Sequence, residues 1–340
     1  MLQFIETKPR LEDLDFQNES LTQMLNISIW DMPNLVFYGI PGCGKTTKIY
    51  SFLSSLLNTN EIYSLSYGTI EENRKEVQYQ YSPYHIEFTP CDFRTSESDI
   101  FLHFLKDYVK HPNIVYNIPK IVYIKNANNL TYQSKMALRR IIEKSVVTTR
   151  YIFETSCLSS MESPLRSRLL GVRIPRPSIT EIRLSIKNYV ENILQKTITK
   201  QEIDKCMELS AYFDYNLKHV YGIIMTYKYT GEWVLLHSCI QMNDLYEIYK
   251  KKEMKDIHIE KAKEIMMELY IELIPMIHII HYLYNRILTE YKNDIDLCCE
   301  VSEKTSKHLI HINKGNKLII HMEYYFIDIL ESFIKYGYIK

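Results

Sequence analysis

The residue types best suited to chemistry crowd into one octet. Gly39-Ile40-Pro41-Gly42-Cys43-Gly44-Lys45-Thr46 fits GxxxxGK[ST], and a chain with only 9 glycines in 340 residues places three of them within six positions here. Glycines let consecutive backbone N–H groups turn inward around a phosphate, and a helix starting at the same point presents its positive end to the anion. Lys45 would reach the β- and γ-phosphates, the Thr46 hydroxyl would ligate a nucleotide-borne Mg2+, and Thr47 continues the same helical turn. The expected cofactors are ATP or ADP, with Mg2+.

Such a site ordinarily works with a later strand that ends in an Asp for the metal and a Glu that activates water. The best strand for that role, Ile121-Val122-Tyr123-Ile124, runs instead into Lys125-Asn126-Ala127-Asn128. A lysine cannot ligate a cation, and Asn126 can orient a water without taking its proton. No other apolar strand before Pro175 ends in Asp-Glu. The residues therefore predict nucleotide binding with little or no hydrolysis at this chain's own site.

These groups need a scaffold to hold them, and the first half of the chain alternates strand-like and helix-like runs. Strands are expected at Asn34–Tyr38, Glu61–Ser66, His85–Phe88, Ile121–Ile124, Tyr151–Thr155 and Gly171–Ile174. Helices are expected at Lys45–Leu57, Asp99–Val109, Thr131–Lys144 (opened by a Thr cap) and near Pro164. Alternation of this kind predicts an α/β fold, a mostly parallel sheet with helices on both faces. Pro175-Arg176-Pro177 breaks the pattern, and everything after it reads as helix: Ile179–Leu194, Thr199–Leu209 and Tyr215–Tyr227, then helix after helix beyond Tyr229-Thr230-Gly231. Three domains are expected, an α/β nucleotide-binding domain over 1–177, an all-α unit over 178–230 and a second all-α unit over 231–340.

Composition excludes several classes. Lys+Arg and Asp+Glu are both 41, which argues against binding nucleic acid by bulk charge alone. A hydrophobic share of 46% and a charged share of 24% describe an ordinary globular chain rather than a disordered one. The 7 cysteines are scattered, and the adjacent pair Cys298-Cys299 has no metal-ligand spacing, so a reducing compartment is expected. The N-terminal residues lack the apolar core of a signal peptide, and the most apolar stretch, Ile271–Ile287, carries Glu272, Pro275, His278, His281 and Arg286, too polar for a membrane span.

Beyond the octet, Lys120-Ile121-Val122-Tyr123-Ile124, Asn129-Leu130-Thr131, Ala137 to Lys144, Pro164-Leu165-Arg166-Ser167-Arg168 and Val172-Arg173-Ile174-Pro175 come one after another in order. This series resembles the small subunits of replication factor C, the sliding-clamp loader of the AAA+ class. The likeness is strongest from Asn34 to Pro177, and the helical remainder agrees in length and order. Tyr84-His85-Ile86-Glu87 and Pro90-Cys91-Asp92 are most similar to the small subunit with a degenerate ATP site. Heavy use of Ile, Lys, Asn and Tyr suggests AT-rich coding, as in a large DNA virus or an AT-rich eukaryote.

The resemblance implies roles position by position. Ser167-Arg168 matches the family's Ser-Arg-Cys, with Leu169 in place of the Cys. It makes Arg168 a finger inserted into the ATP site of the next subunit, where a planar guanidinium bridges phosphate oxygens. Alone, the same arginine would read as a surface salt bridge. Arg139, Arg140 and Glu143 fall on a helix that similar subunits use between subunits, and they also suit plain surface ion pairs. Ser156 stands where the family often has a polar phosphate sensor, and Asn216-Leu217-Lys218 is similar to the sensor of the lid domain, with Lys218 for Arg. Phe101, Phe104 and Leu105 form one helical face that either grips the clamp or covers the sheet. Arg94, Ser96 and Ser98 would offer donors to DNA phosphates.

The resemblance implies a hetero-pentameric loader acting on a sliding clamp and primer-template DNA, without a membrane. Its place would be intracellular, in a nucleus or a viral replication site. The chain would bind nucleotide, hydrolyse it poorly and complete a neighbour's site. A self-contained homo-oligomeric AAA+ DNA motor or helicase loader is the rival, and it would need the water-activating carboxylate that Lys125-Asn126 lacks. A nucleotide-stabilised scaffold is a third reading, in which Arg168 has no purpose.

Overall fold

The computed structural model describes Leu11, Leu14 and residues 19–340 other than 73–74, 91–94, 114, 194–196, 212–214, 232, 234–236, 252, 273, 275, 315–317 and 340. The chain divides into two compact units. The first runs to Tyr189 and includes Asn216–Lys218; the second comprises Val190–Tyr215 and His219–Lys340.

The first unit is built on seven strands: β1 (Leu35–Tyr38), β2 (Ser66–Glu72), β3 (Lys75–Tyr81), β4 (His85–Phe88), β5 (Lys120–Ile124), β6 (Thr149–Thr155) and β7 (Leu170–Arg173). Their order across the sheet is β2-β3-β4-β5-β6-β1-β7. From β4 to β7 all neighbours are parallel. The β2–β3 and β3–β4 pairings are antiparallel, so the sheet is mixed. The four parallel pairings are the mostly parallel sheet expected, and the antiparallel hairpin β2–β3 is an addition that the alternation did not predict. β3 sets Gln78 and Gln80 between Val77, Tyr79 and Tyr81, the pattern of an antiparallel strand with one face toward solvent rather than of a strand buried on both faces. The strand expected at Glu61–Ser66 is instead a single 3-10 turn, Glu61–Tyr63, that tucks Ile62 and Tyr63 into the core.

Alternation of side chains sets the two faces of the parallel part. Leu35, Phe37, Ile121, Tyr123 and Ile152 pack with Ile49, Phe52 and Leu53 of the helix Lys45–Leu57. Val36, Val122, Ile124, Tyr151 and Phe153 pack on the other face, with Phe101 and Leu105 of the helix Thr95–Tyr108 and Leu138, Ile141 and Ile142 of the helix Tyr132–Lys144. The expected Thr cap is present: Thr131 accepts the backbone N–H of Ser134 at 3.1 Å. After Pro177, Ser178 opens the helix Ile179–Asn188 with a capping box. Its Oγ accepts from Glu181 N, and its own N–H donates to Glu181 Oε2 at 2.6 Å.

The second unit is helical. Lys200–Ala211 precedes Leu217–Thr230, whose first two residues belong to the first unit; His237–Tyr249, Asp256–Ile271, Met276–Glu290, Ile295–Lys314 and Leu318–Lys335 come next. The helix expected from Tyr215 begins two residues later, because Tyr215 is held at φ 55°. The last five helices share one core that includes Tyr246, Tyr249, Leu283, Tyr325, Phe326 and Phe333. Tyr249 lies 4.6 Å from Phe326 and 5.4 Å from Phe333, ring centre to ring centre. Among the described residues no helix is long and apolar enough to cross a membrane.

Candidate functional site

The octet occupies the turn between β1 and the helix Lys45–Leu57, at the carboxyl end of the parallel strands, where open α/β sheets bind ligands. Gly42 (φ 77°) and Gly44 (φ 88°) both take the left-handed conformation that a side chain disfavours. Lys45 is buried, and its Nζ donates to the carbonyls of Gly39 (2.8 Å) and Ile40 (3.0 Å), anchoring the ammonium at the mouth of the loop. Ile40 and Pro41 are exposed on its rim, while Cys43 is buried and burial pushes its thiol up, away from reactivity. Thr47 is half-buried in the first turn.

Asn216 closes over this loop. A Cβ on Gly42 would lie 1.9 Å from Asn216 Oδ1, and Asn216 Nδ2 reaches the Pro41 carbonyl at 3.4 Å. The 216–218 segment thus meets the phosphate loop through Asn216. Lys218, the residue expected to do so, is exposed, and its backbone N–H donates to Asn216 Oδ1 at 3.0 Å.

Below the loop, the strand ends assemble a buried polar cluster. His85 and Glu87 on β4, Lys125 just past β5 and Glu154 on β6 fall on the face that carries the helix Lys45–Leu57. Lys125 Nζ pairs with Glu87 Oε2 at 2.6 Å and donates to Tyr50 Oη at 3.2 Å. His85 Nε2 lies 2.9 Å from Glu87 Oε1, and Tyr50 donates to the same oxygen. Burial opposes the charge on Glu87, but the hydrogen bond with His85 and the Lys125 ammonium outweigh it and hold the carboxyl below its ordinary value. Lys125 therefore has a structural partner here. Asn126 is exposed, with φ 45°.

Glu154 is the residue that sequence reasoning missed. It is 8% exposed, accepts the hydroxyl of Tyr123, and accepts Thr46 Oγ1 at 3.1 Å (Oε2) and 3.3 Å (Oε1). The phenols of Tyr50 and Tyr123 are pushed far up, first by burial and then by the nearby carboxylates, so both stay donors. The available signal was parity: Glu154 is two residues from Ile152, so it shares the face of the phosphate-loop helix. Thr46 and Glu154 together present hard oxygens, the donor type Mg2+ takes, and loop, lysine and hydroxyl fit a nucleotide with its cation.

Other expected residues sit elsewhere. Ser156 is exposed one position past β6. Arg168 pairs with Glu143, which also accepts from Arg139 Nε at 3.2 Å, and its guanidinium donates to the Pro164 carbonyl. The hydrogen bond from Arg139, against a small cost of burial and with Arg168 helping, lowers the Glu143 carboxyl. Arg140 is exposed. The clamp-anchor reading of Phe101, Phe104 and Leu105 is corrected. Phe101 and Leu105 are 1% and 0% exposed, Phe101 stacks on Phe88 at 3.9 Å, and Phe104 packs on Tyr79 at 5.2 Å. That face covers the sheet. Ser96 and Ser98 lie by backbone in the first turn of the helix Thr95–Tyr108, while their side chains, and Arg94 altogether, lie outside the described residues.

No family model matches the chain. It is 26% identical over 329 residues to replication factor C subunit 5 of Saccharomyces cerevisiae, covering 90% of this chain and 92% of that one. It is 33% identical over 177 residues to replication factor C subunit 3 of Homo sapiens, covering half of each chain. A protein of Acanthamoeba polyphaga mimivirus assigned to the replication factor C small subunits is 25% identical over 95% of this chain and 88% of its own. Among solved structures, the replication initiator DnaA bound to AMPPCP and single-stranded DNA superposes with a TM-score of 0.51 at 15% identity, over 93% of this chain and 98% of that one. That likeness concerns the fold. Fold, phosphate loop and sequence likeness agree: the chain has the AAA+ P-loop fold and is similar over most of its length to small subunits of replication factor C.

Proposed function

We propose that this chain is a small subunit of a clamp loader that binds ATP or ADP with Mg2+ and hydrolyses it poorly itself. The observation that carries the reading is a phosphate loop complete from Gly39 to Thr46 beside a β5 terminus whose cation is Lys125, tied to Glu87. Bound nucleotide supplies a phosphate chain whose charge the Lys45 ammonium and the loop N–H groups complement. The same residues fix subunit shape without activating water, because Asn126 holds no base and Lys125 is engaged. Residues 1–177 serve as the nucleotide-binding domain, 178–230 as a lid and 231–340 as a collar that joins subunits. By analogy with the relatives, the partners are other loader subunits in a hetero-pentamer, a sliding clamp and primer-template DNA, in a nucleus or a viral replication site.

Arg168 is the proposed finger toward a neighbour's ATP. Its side chain is 32% exposed, and its partners Glu143 and Pro164 belong to the same surface, so the guanidinium is oriented without being enclosed. Arg168→Ala in the assembled complex tests the reading. A loader loses turnover at the one neighbouring site that Arg168 completes, by about 10³-fold or more as for other arginine fingers, and keeps its composition. A scaffold loses nothing, and a self-contained motor turns over as a homo-oligomer.

A further inference from the structure

We propose that Glu154 takes over the metal side of the degenerate site: with Thr46 it organises the Mg2+ of the bound nucleotide, in place of the carboxylate missing from the end of β5. The inference rests on the nucleotide-binding reading and names a residue for it. Three observations carry it.

The first is distance. In an octahedral Mg2+ shell with bonds of about 2.0–2.1 Å, neighbouring ligand oxygens are about 2.9 Å apart. Thr46 Oγ1 and Glu154 Oε2 are already 3.1 Å apart, so the two oxygens stand at the spacing of adjacent ligands. The second is charge. Lys125 is matched by Glu87, which also meets His85. Glu154 is buried with two neutral hydroxyls, Thr46 and Tyr123, as its hydrogen-bond partners among the described residues. A buried carboxylate without a cation is costly, and a divalent ion at Thr46 supplies one. The third is support. Tyr123, fully buried on β5, donates to Glu154 and fixes its rotamer, as outer hydrogen-bond donors do around metal-ligating carboxylates. The carboxylate has moved one strand over, from β5 to β6, at the same end of the sheet. Because it faces the hydroxyl of Thr46, it restores metal binding without supplying the water-activating base.

The test is a titration of Mg2+ into the full chain carrying a fluorescent ATP analogue in EDTA-stripped buffer, for the wild type and for Glu154→Gln. Gln keeps an acceptor for Tyr123 and Thr46 and removes only the charge. The half-saturating Mg2+ concentration should rise about 10- to 100-fold in Glu154→Gln while the metal-free affinity for the analogue stays unchanged. An unchanged Mg2+ midpoint with intact nucleotide binding would overturn the role of Glu154 and leave the nucleotide reading standing. Tighter binding of the analogue with and without Mg2+ would also overturn it, since Glu154 would then merely repel phosphate. A wild type that binds no analogue in either condition would sink the nucleotide reading and this inference together. If Glu154→Gln does not fold by circular dichroism, Glu154→Asp decides: the retracted carboxylate should weaken Mg2+ several-fold, and an unchanged midpoint is again the overturning result.

Discussion

At the scale of single residues, the phosphate loop concentrates the chemistry that a sequence can reveal. Lys45 makes two charge-assisted hydrogen bonds to loop carbonyls, and these are groups it would exchange for phosphate oxygens. Lys45→Ala should weaken a fluorescent ATP analogue by roughly 10- to 100-fold, the value of one or two hydrogen bonds to a charged group, measured by anisotropy. Gly42→Ala meets two obstacles, the positive φ and the Asn216 side chain in the space of the new Cβ. It should weaken the same analogue, and Asn216→Ala in the same chain should recover part of the loss by clearing that space. Both residues of the loop were legible because the motif is local. The segment at Asn216 was named only through resemblance, and for Lys218: nothing in the chain between says that Asn216 itself returns to Pro41, 175 positions earlier.

At the scale of elements, one helix changes meaning once its neighbours are in place. The apolar face of Thr95–Tyr108 suits a groove on a partner and a sheet equally well on periodicity alone. Packing resolves it, with Phe101 against Phe88 and Leu105 fully buried. Leu105→Ala should therefore lower stability by about 2–5 kcal/mol in a denaturant titration, the effect of a core cavity, which truncating a surface anchor would not produce. The helices Ile295–Lys314 and Leu318–Lys335 are tied by Glu300, which meets Lys335 at 2.5 Å and accepts from Ser332 at 3.1 Å. The hydrogen bond from Lys335, opposed by burial and helped by Ser332 and Lys304, pulls the Glu300 carboxyl from 4.5 to about 2. A carboxyl lowered on folding stabilises at neutral pH, and the gain disappears as pH falls from about 4.5 toward 2. Lys335 is largely solvated, so Glu300→Gln should cost about 1 kcal/mol or less at neutral pH. The difference from wild type should shrink in melts at progressively lower pH.

At the scale of the whole molecule, among the described residues the helical core at 242–339 shares no buried residue with the two clusters flanking the sheet. Phe333→Ala should destabilise the helical unit by about 3–5 kcal/mol, as for a buried Phe, and leave affinity for the ATP analogue at Thr46 unchanged. The assembly is read by native mass of the complex recovered on a tagged chain. One copy among related AAA+ subunits, holding a ring clamp when ATP is present, is the expected result; a homohexamer would favour the self-contained motor.

Local signals were enough for the phosphate loop, the Thr131 cap and the end of the strand–helix alternation between Arg173 and Ile179. Each is a matter of neighbouring residue types. The hairpin of β2 and β3 escaped because strands with one solvated face carry no continuous apolar run. The meanings of Lys125, Glu154 and Phe101 came from packing. Glu154 reaches Thr46 across 108 residues because parallel register sets β6 beside β1, with Phe37 opposite Glu154. Side-chain parity could show which face Glu154 takes. Which hydroxyl it meets there depends on where the helix Lys45–Leu57 lies on that face, and that is settled by the burial of Ile49, Phe52 and Leu53 against the sheet.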